Sequence, residues 1–85
     1  MGRTAEYRRA AIRLGELLRD LRLRGLLTVD ELAIKVDEPA AFIERIERGS
    51  YVLDPFELEE LCAACGVDFM ETIRHISSAL NEVRQ

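Results

Sequence analysis

The sequence has 85 residues, of which 48% are hydrophobic and 33% are charged, with five glycines and two prolines. This length allows one domain with a small core, and the composition excludes disordered, collagen-like and linker classes while favouring a helical domain. No apolar run approaches the roughly 18 residues of a membrane span, and the N-terminus lacks the apolar segment of a signal peptide. We therefore expect a cytoplasmic protein with no membrane partner.

The net charge of -4 is unevenly distributed along the chain. Residues 1–25 carry seven arginines against three acids, a net +4, and residues 26–72 carry three bases against twelve acids, a net -9. The last thirteen residues add two arginines against one glutamate, a net +1. A basic first segment thus precedes an acidic body, and only the basic segment suits phosphate binding.

The first predicted element is an amphipathic helix with leucines at positions i, i+3, i+4 and i+7. These are Leu14, Leu17, Leu18 and Leu21. Thr4 can cap the first amides of this helix, and Gly25 suits its end.

Thr28 and Glu31 form the pattern of a capping box, which predicts a short second helix ending near Asp37. Pro39 suits the first position of a third helix, which should run to about Arg48 before Gly49 ends it.

Residues 50–53 are expected to form a loop, after which two further capping patterns begin helices. Asp54 and Glu57 predict a fourth helix that ends at Gly66. Asp68 and Glu71 predict a fifth helix that reaches about Val83. The whole pattern predicts an all-α domain of five helices.

A short helix, a turn and another short helix between flanking helices is the helix-turn-helix plan. The stretch from Leu14 to Ile73 resembles the phage-repressor and Cro-like family, also called the xenobiotic-response-element family. The matching residues are Leu18, Leu21, Arg22 and Gly25, Leu27-Thr28, Glu31-Leu32-Ala33, Ile43-Glu-Arg-Ile-Glu-Arg-Gly49, Leu58, Leu61, Ala64 and Gly66-Val67. The resemblance suggests a basic N-terminal arm or helix extension over residues 1–9, a helix-turn-helix domain over 10–73 and a C-terminal helix extension over 74–85.

The resemblance implies a transcriptional regulator whose third helix enters the major groove and which binds a short double-stranded operator as a homodimer. The implied base-facing residues are Pro39, Ala40, Ala41 and Glu44. The residues expected at phosphates are Arg3, Arg8, Arg9, Arg13, Lys35, Arg45, Ser50 and Tyr51. For Tyr51, packing over the third helix is an alternative role with at least equal support.

Four acids depart from this pattern where the motif should approach phosphates. They are Asp30, Glu31, Asp37 and Glu38. Val29 offers no donor, and Asp37 replaces the glycine usual in the turn, although aspartate tolerates positive φ better than most residues. The alternative hypothesis is therefore a scaffold whose acidic face binds a protein partner such as a co-regulator, an anti-repressor or an antitoxin-like ligand.

The sequence predicts no enzyme, cofactor or metal site. Cys62 and Cys65 have the spacing of a zinc or redox motif, but no second cysteine pair accompanies them and His75 does not complete a ligand set. Both cysteines share a face with Leu58 and Leu61, which predicts buried thiols.

The last helix carries a heptad-spaced seam that the resemblance covers only in part. The seam is Phe69, Ile73, Ile76, Leu80 and Val83. We predict that Ile76, Leu80 and Val83 form a homodimer interface. The alternative is packing on the start of the first helix, around Tyr7 and Ala11.

Overall fold

The computed structural model describes residues 4–84, which form five α-helices and no strand. The helices are α1 (Ala5–Arg24), α2 (Val29–Lys35), α3 (Ala40–Glu47), α4 (Pro55–Cys65) and α5 (Phe69–Arg84). This confirms the predicted all-α, five-helix architecture. Along this part of the chain, no helix has the length and apolarity needed to cross a membrane.

Side-chain caps begin the helices where the sequence predicts them. Thr4 caps α1. At α2 the Glu31 amide donates to Thr28 over 3.1 Å and the Thr28 amide donates to Glu31 over 2.8 Å. Asp54 and Glu57 repeat this exchange at α4. Each cap satisfies helix-end amides that would otherwise lack partners.

Left-handed backbone conformations follow the first four helices, and after α1 it is Leu26 that takes φ 58°. Gly49 follows α3 with φ 80° and Gly66 ends α4 with φ 73°, as glycine permits. Asp37 takes φ 55° in the turn between α2 and α3, so the aspartate does adopt the positive φ of that position. The expectation for Pro39 was off by one residue: Pro39 is the N-cap of α3, in an extended conformation, and the helix begins at Ala40.

The core lies where α1, α2, α3 and α4 converge. Ile43, Ile46 and Cys62 are the largest side chains that are almost fully buried. Cys62 and Cys65 are both buried free thiols, as predicted, and burial raises the pKa of each. Raised pKa values keep the thiols protonated and unreactive at neutral pH.

Two glycines allow α1 to cross closely over the end of α3. A Cβ added to Gly15 would lie 2.6 Å from the carbonyl oxygen of Glu47, and one added to Gly49 would lie 2.7 Å from the Cα of Ile12. Backbone therefore packs on backbone at this crossing, and the position of α3 is fixed directly by α1.

The heptad-spaced seam on α5 packs partly on the start of α1. Ile76, Leu80 and Val83 are half-buried, and they line a groove together with Tyr7 and Ala11. The packing alternative is thus realised in part. The proposed divisions at residues 9 and 73 fall inside α1 and α5, and they stay predictions.

Candidate nucleic-acid interface

The exposed face of α3 is a stripe of four residues at helical spacing. They are Ala41, Glu44, Arg45 and Arg48. The spacing i, i+3, i+4 and i+7 puts them on one side of the helix, opposite the buried Ile43 and Ile46. This outward stripe carries two guanidinium groups and one carboxylate, so it has a net positive charge within an acidic segment.

The four residues predicted to face bases differ in their exposure to solvent. Ala41 and Glu44 are exposed on the outward stripe, and Pro39 is exposed just before it. Ala40 is half-buried and packs against the core cluster, so less of its side chain is available to base edges than that of Ala41, and its placement there stays a prediction. Its side chain faces inward because Ala40 lies three residues before the buried Ile43, on the same side of the helix.

Arg48 belongs to the outward stripe and was missing from the predicted site. It is exposed at the C-cap of α3, one residue after Glu47. The spacing of seven residues from Ala41 was the signal that would have found it. The match to the family motif used Arg48 only to locate the end of the third helix, so its exposed position on the helix was not considered.

A contact network holds Arg45 on the outward stripe. Its guanidinium carbon lies 5.7 Å from the ring centre of Tyr51, within cation–π range. The Tyr51 ring packs edge-on against Phe42 with centroids 5.2 Å apart. Its hydroxyl donates to Glu57 over 2.8 Å, and this hydrogen bond is the main reason why the pKa of Tyr51 is raised.

Tyr51 thus takes the packing role over α3, and its hydroxyl proton is directed at a carboxylate. Ser50 likewise donates its hydroxyl to the carbonyl oxygen of Arg45 over 3.0 Å, which closes the end of α3. Both residues were predicted at phosphates. As donors to phosphate, each would first have to release its internal acceptor.

The α1 arginines lie near the same end of the molecule. Arg8 and Arg9 are exposed one turn before Ile12, whose Cα approaches Gly49 after α3. Arg13 is half-buried and its Nη1 lies 3.3 Å from the Glu16 carboxylate, an exposed pair that contributes little stability. Arg3 was also predicted at phosphates, and it lies outside the described residues.

Lys35 is exposed in the last turn of α2. It lies four residues after Glu31, and its charge helps to lower the pKa of Glu31, whose larger causes are the hydrogen bonds with Thr28. The structure therefore couples Lys35 to a nearby acid, while Arg45 and Arg48 share the outward stripe.

A buried ion pair fixes α3 against α1. The Nε of Arg22 donates to one Glu47 oxygen over 2.6 Å and its Nη2 donates to the other over 3.0 Å. The remaining Nη1 donates to the carbonyl oxygen of Leu27 over 2.9 Å, in the turn before α2. The hydrogen bond with Glu47 is the main cause that raises the pKa of Arg22.

This pair has two consequences for the interface. Its two-point geometry fixes the orientation of α3 as well as its distance from α1. It also neutralises Glu47, the second acid of the helix, and leaves Glu44 as the one carboxylate on the outward stripe. Sequence reasoning marked Arg22 as a family position but did not pair it with Glu47, which lies 25 residues away.

Four exposed acids flank the interface on α2 and the following turn. They are Asp30, Glu31, Asp37 and Glu38. Asp37 and Glu38 come directly before Pro39, so their charges lie beside the N-terminal end of α3. They reduce the positive potential at that end of the outward stripe.

The other candidate residues form no site. His75 is exposed on α5. Among residues 4–84, no group of three or more histidine, cysteine, aspartate or glutamate side chains is placed to hold a metal ion.

A family model described as a helix-turn-helix domain matches residues 13–74, well over half of the chain. The chain belongs to the helix-turn-helix domain family. No curated protein sequence matches the chain significantly.

Several solved structures share the fold at low sequence identity. The restriction-modification controller protein C.AhdI from Aeromonas hydrophila is 22% identical with a TM-score of 0.67, covering 73% of this chain and 94% of its own. The clp gene regulator ClgR from C. glutamicum is 23% identical with a TM-score of 0.73, covering 82% and 91%. The controller protein C.Esp1396I, solved as a tetramer with its natural 35 base-pair operator, is 21% identical with a TM-score of 0.72, covering 84% and 93%.

Proposed function

We propose that this helix-turn-helix protein is a DNA-binding transcriptional regulator that places the outward stripe of α3 in the major groove of a short operator. The observation that carries the proposal is the stripe itself, which exposes Arg45 and Arg48 while Arg22 neutralises Glu47. The similarity in fold to controller proteins, one of them solved with its operator, supports the same role.

The stripe offers limited but specific base contacts. The methyl group of Ala41 fits a thymine methyl, and the carboxylate of Glu44 can accept from the amino group of cytosine. Pro39 would lie at the entrance to the major groove of the DNA. Ala40 contributes through packing, because its side chain is turned towards the core.

Phosphate contacts would supply most of the affinity. Arg8 and Arg9 on α1, and Arg45 and Arg48 on α3, are exposed near the same loop. Each arginine that neutralises a phosphate releases counterions, so binding should weaken steeply as salt rises. Arg13, Lys35, Ser50 and Tyr51 would join these contacts only by leaving the intramolecular partners or charges described above.

Binding as a homodimer would place two α3 helices in successive major grooves of a two-fold operator. We place the regulator in the cytoplasm, since two unpaired thiols are usual in reducing compartments. Its role is binding, without catalysis.

The test is fluorescence anisotropy with DNA from upstream of the protein's own gene, measured across a salt series. We expect sequence-dependent binding whose logarithmic affinity falls steeply with the logarithm of salt concentration. Arg45→Gln with Arg48→Gln should weaken binding to every duplex and reduce its salt dependence, because both side chains are placed at phosphates. Arg74→Gln, the same change on the exposed surface of α5, should leave both unchanged. Wild-type protein that binds no duplex above background at low salt would contradict the proposal.

A second candidate function is protein binding through the acidic face of α2. Ile34 is 79% exposed beside the acids of this helix, and Leu26 is 89% exposed in the preceding turn with φ 58°. An exposed apolar and acidic surface suits a basic amphipathic segment of a partner protein.

The two functions respond differently when Asp37→Asn and Glu38→Gln are combined. If α3 enters DNA, removing these charges should tighten DNA binding severalfold, because two acids no longer repel phosphates. Matched changes at Glu59→Gln and Glu60→Gln on α4 should have a smaller effect. If DNA affinity stays at background in both double variants, protein binding becomes the favoured function.

A further inference from the structure

The outer side of α4 carries four residues at the helical spacing i, i+3, i+4 and i+7. They are Phe56, Glu59, Glu60 and Ala63, and all four are exposed. This set, the α4 stripe, borders a shallow depression that Asp54 and Glu57 complete. The opposite side of the helix packs into the core through Leu58, Leu61 and Cys62, so the α4 stripe is left on the surface.

The fold gives Phe56 no packing role. Phe56 is 83% exposed, whereas Phe42 and Phe69, the other two phenylalanines, are half-buried against the core. The cap at the start of α4 is made by Asp54 and Glu57, which exchange hydrogen bonds without it. A phenylalanine ring gains free energy when another surface covers it, and aromatic residues are enriched in protein interfaces. Phe56 is thus placed to contact a partner.

The charges around Phe56 indicate which kind of partner covers it. α4 contains three glutamates and no basic residue. Glu57 is used by the cap and by Tyr51, but within residues 4–84 neither Glu59 nor Glu60 has an ion-pair partner. Both lie beyond the first turn, where the helix dipole stabilises an acid only weakly. Two unpaired carboxylates beside an aromatic ring repel phosphates and favour a basic protein surface.

We infer that the α4 stripe binds a basic segment of a partner protein, with Phe56 as the apolar anchor and Glu59 and Glu60 paired with lysine or arginine. The stripe rises about 10 Å along the helix from Phe56 to Ala63, a length that about two turns of a partner helix can cover. The small side chain of Ala63 leaves room for close approach by the partner's backbone. An area of this size belongs to the class of small, transient interfaces.

The α4 stripe is a different surface from the acidic face of α2. On α2 the exposed apolar residue is Ile34, and the acids Asp37 and Glu38 that follow this helix lie beside the N-terminal end of α3. No residue of the α4 stripe is among those proposed to contact DNA. Binding at the α4 stripe can therefore be measured without DNA, and its outcome does not depend on the proposed function.

The test uses the isotope-labelled full chain and a synthetic helical peptide of about four turns, with lysines along one face and leucines beside them. In NMR titration at low salt, we expect saturable binding with the largest amide shifts at Phe56, Glu59, Glu60 and Ala63. A peptide with glutamate in place of lysine, and one with serine in place of leucine, should each bind at least about tenfold more weakly. Equal binding of the three peptides, or no saturable binding of the lysine peptide up to about 1 mM, would overturn the inference.

Variants of the α4 stripe separate its apolar contribution from its charge. Phe56→Ser should weaken binding of the lysine peptide about tenfold, because the contact with the ring is lost. Glu59→Gln with Glu60→Gln should weaken it about fivefold at low salt and by less at high salt. These positions are exposed, so the variants should keep the thermal unfolding midpoint of wild type.

Matched variants on the acidic face of α2 provide the control. Ile34→Ser changes another exposed apolar residue, and Asp37→Asn with Glu38→Gln removes two exposed acids. Both should leave binding of the lysine peptide unchanged. Losses as large as those of the α4 variants would overturn the inference, because the peptide would then bind acidic surface without preference for the α4 stripe.

A second copy of this chain is the other occupant that the measurements detect. If Phe56→Ser lowers the molecular mass of the free protein in light scattering, the same chain covers the α4 stripe and the inference is overturned. A protein that binds the lysine peptide through α4 but binds no DNA would contradict the proposed function alone. A protein that binds DNA but not the peptide would contradict only the inference about α4.

Discussion

The two ends of α1 differ in what they contact. From Ala11 to Arg22, the helix lies backbone to backbone against the end of α3 and is tied to it by the buried pair with Glu47. From Ala5 to Ala10, it exposes Arg8 and Arg9 and forms part of one wall of an open groove. One continuous helix therefore holds α3 at one end and presents charge and apolar surface at the other.

This difference separates stability from binding along a single helix. Changes in the second half of α1, or in the α3 residues that it holds, should unfold the domain or move α3. Changes in the first half should alter binding and assembly while the fold persists.

The largest effect is expected where the buried pair is broken. Glu47→Ala leaves the Arg22 guanidinium buried without its carboxylate, which should cost about 3 to 5 kcal/mol in the free energy of unfolding. Glu44→Ala, on the exposed stripe of the same helix, should change it by less than about 0.5 kcal/mol. Urea unfolding measures both.

A double variant separates the cost of an unpaired buried charge from the loss of side-chain packing. Arg22→Met combined with Glu47→Leu removes both charges together, and this double variant should be more stable than Glu47→Ala. If Glu47→Ala costs no more than Glu44→Ala, the buried pair does not hold α3.

The next largest effect is expected at the helix crossing. Gly15→Ala places a Cβ against the carbonyl oxygen of Glu47, and separating the backbones should cost about 2 to 3 kcal/mol despite the better helix propensity of alanine. Gly66→Ala meets no atom within 4 Å and should cost only about 1 kcal/mol, from its positive φ. Equal losses in thermal unfolding would show that the close crossing is not the constraint.

In the first half of α1, the expected effect is on DNA binding. Arg8→Gln with Arg9→Gln should reduce the slope of logarithmic affinity against logarithmic salt by about 2, one for each lost phosphate contact. The free energy of unfolding should stay within about 0.5 kcal/mol, because both side chains are exposed. An unchanged salt slope would show that these two arginines do not contact phosphates.

The smallest effect concerns the cap of α2. Hydrogen bonds with Thr28 lower the pKa of Glu31 in the folded state, so its contribution to stability is present above the ordinary pKa of glutamate, about 4.3. That contribution is lost as the pH falls through the lowered pKa. Glu31→Gln should flatten the acid limb of the pH–stability curve. If the stability of wild type and of Glu31→Gln falls in parallel as the pH is lowered, the cap does not contribute to stability through the lowered pKa of Glu31.

Local chemistry explains why much of the fold could be predicted. The capping boxes at Thr28 and Asp54 depend on residues three positions apart, and glycine at 49 and 66 ends helices through its own conformational freedom. The tolerance of Asp37 for positive φ is likewise a property of one residue. These features are readable because neighbours in sequence are neighbours in space.

The candidate site was less predictable because it depends on tertiary packing. The pairing of Arg22 with Glu47 requires the angle at which α1 crosses α3, which periodicity does not determine. The same crossing explains Gly15, whose place in a leucine-rich helix was the available signal. Ala40 and Arg48, by contrast, follow from helical spacing: Ala40 lies three residues before the buried Ile43, and Arg48 lies seven residues after the exposed Ala41.

The most direct test of DNA binding through α3 is the footprint of duplex DNA on the protein's amide NMR spectrum. On titration with the preferred operator, the account predicts the largest shifts at Ala41, Glu44, Arg48 and Ser50, with smaller shifts at Arg8 and Arg9. Amides on the exposed face of α4, including Phe56 and Glu60, should stay in place. Large shifts confined to α4 or α5, with the α3 amides unmoved, would contradict the account.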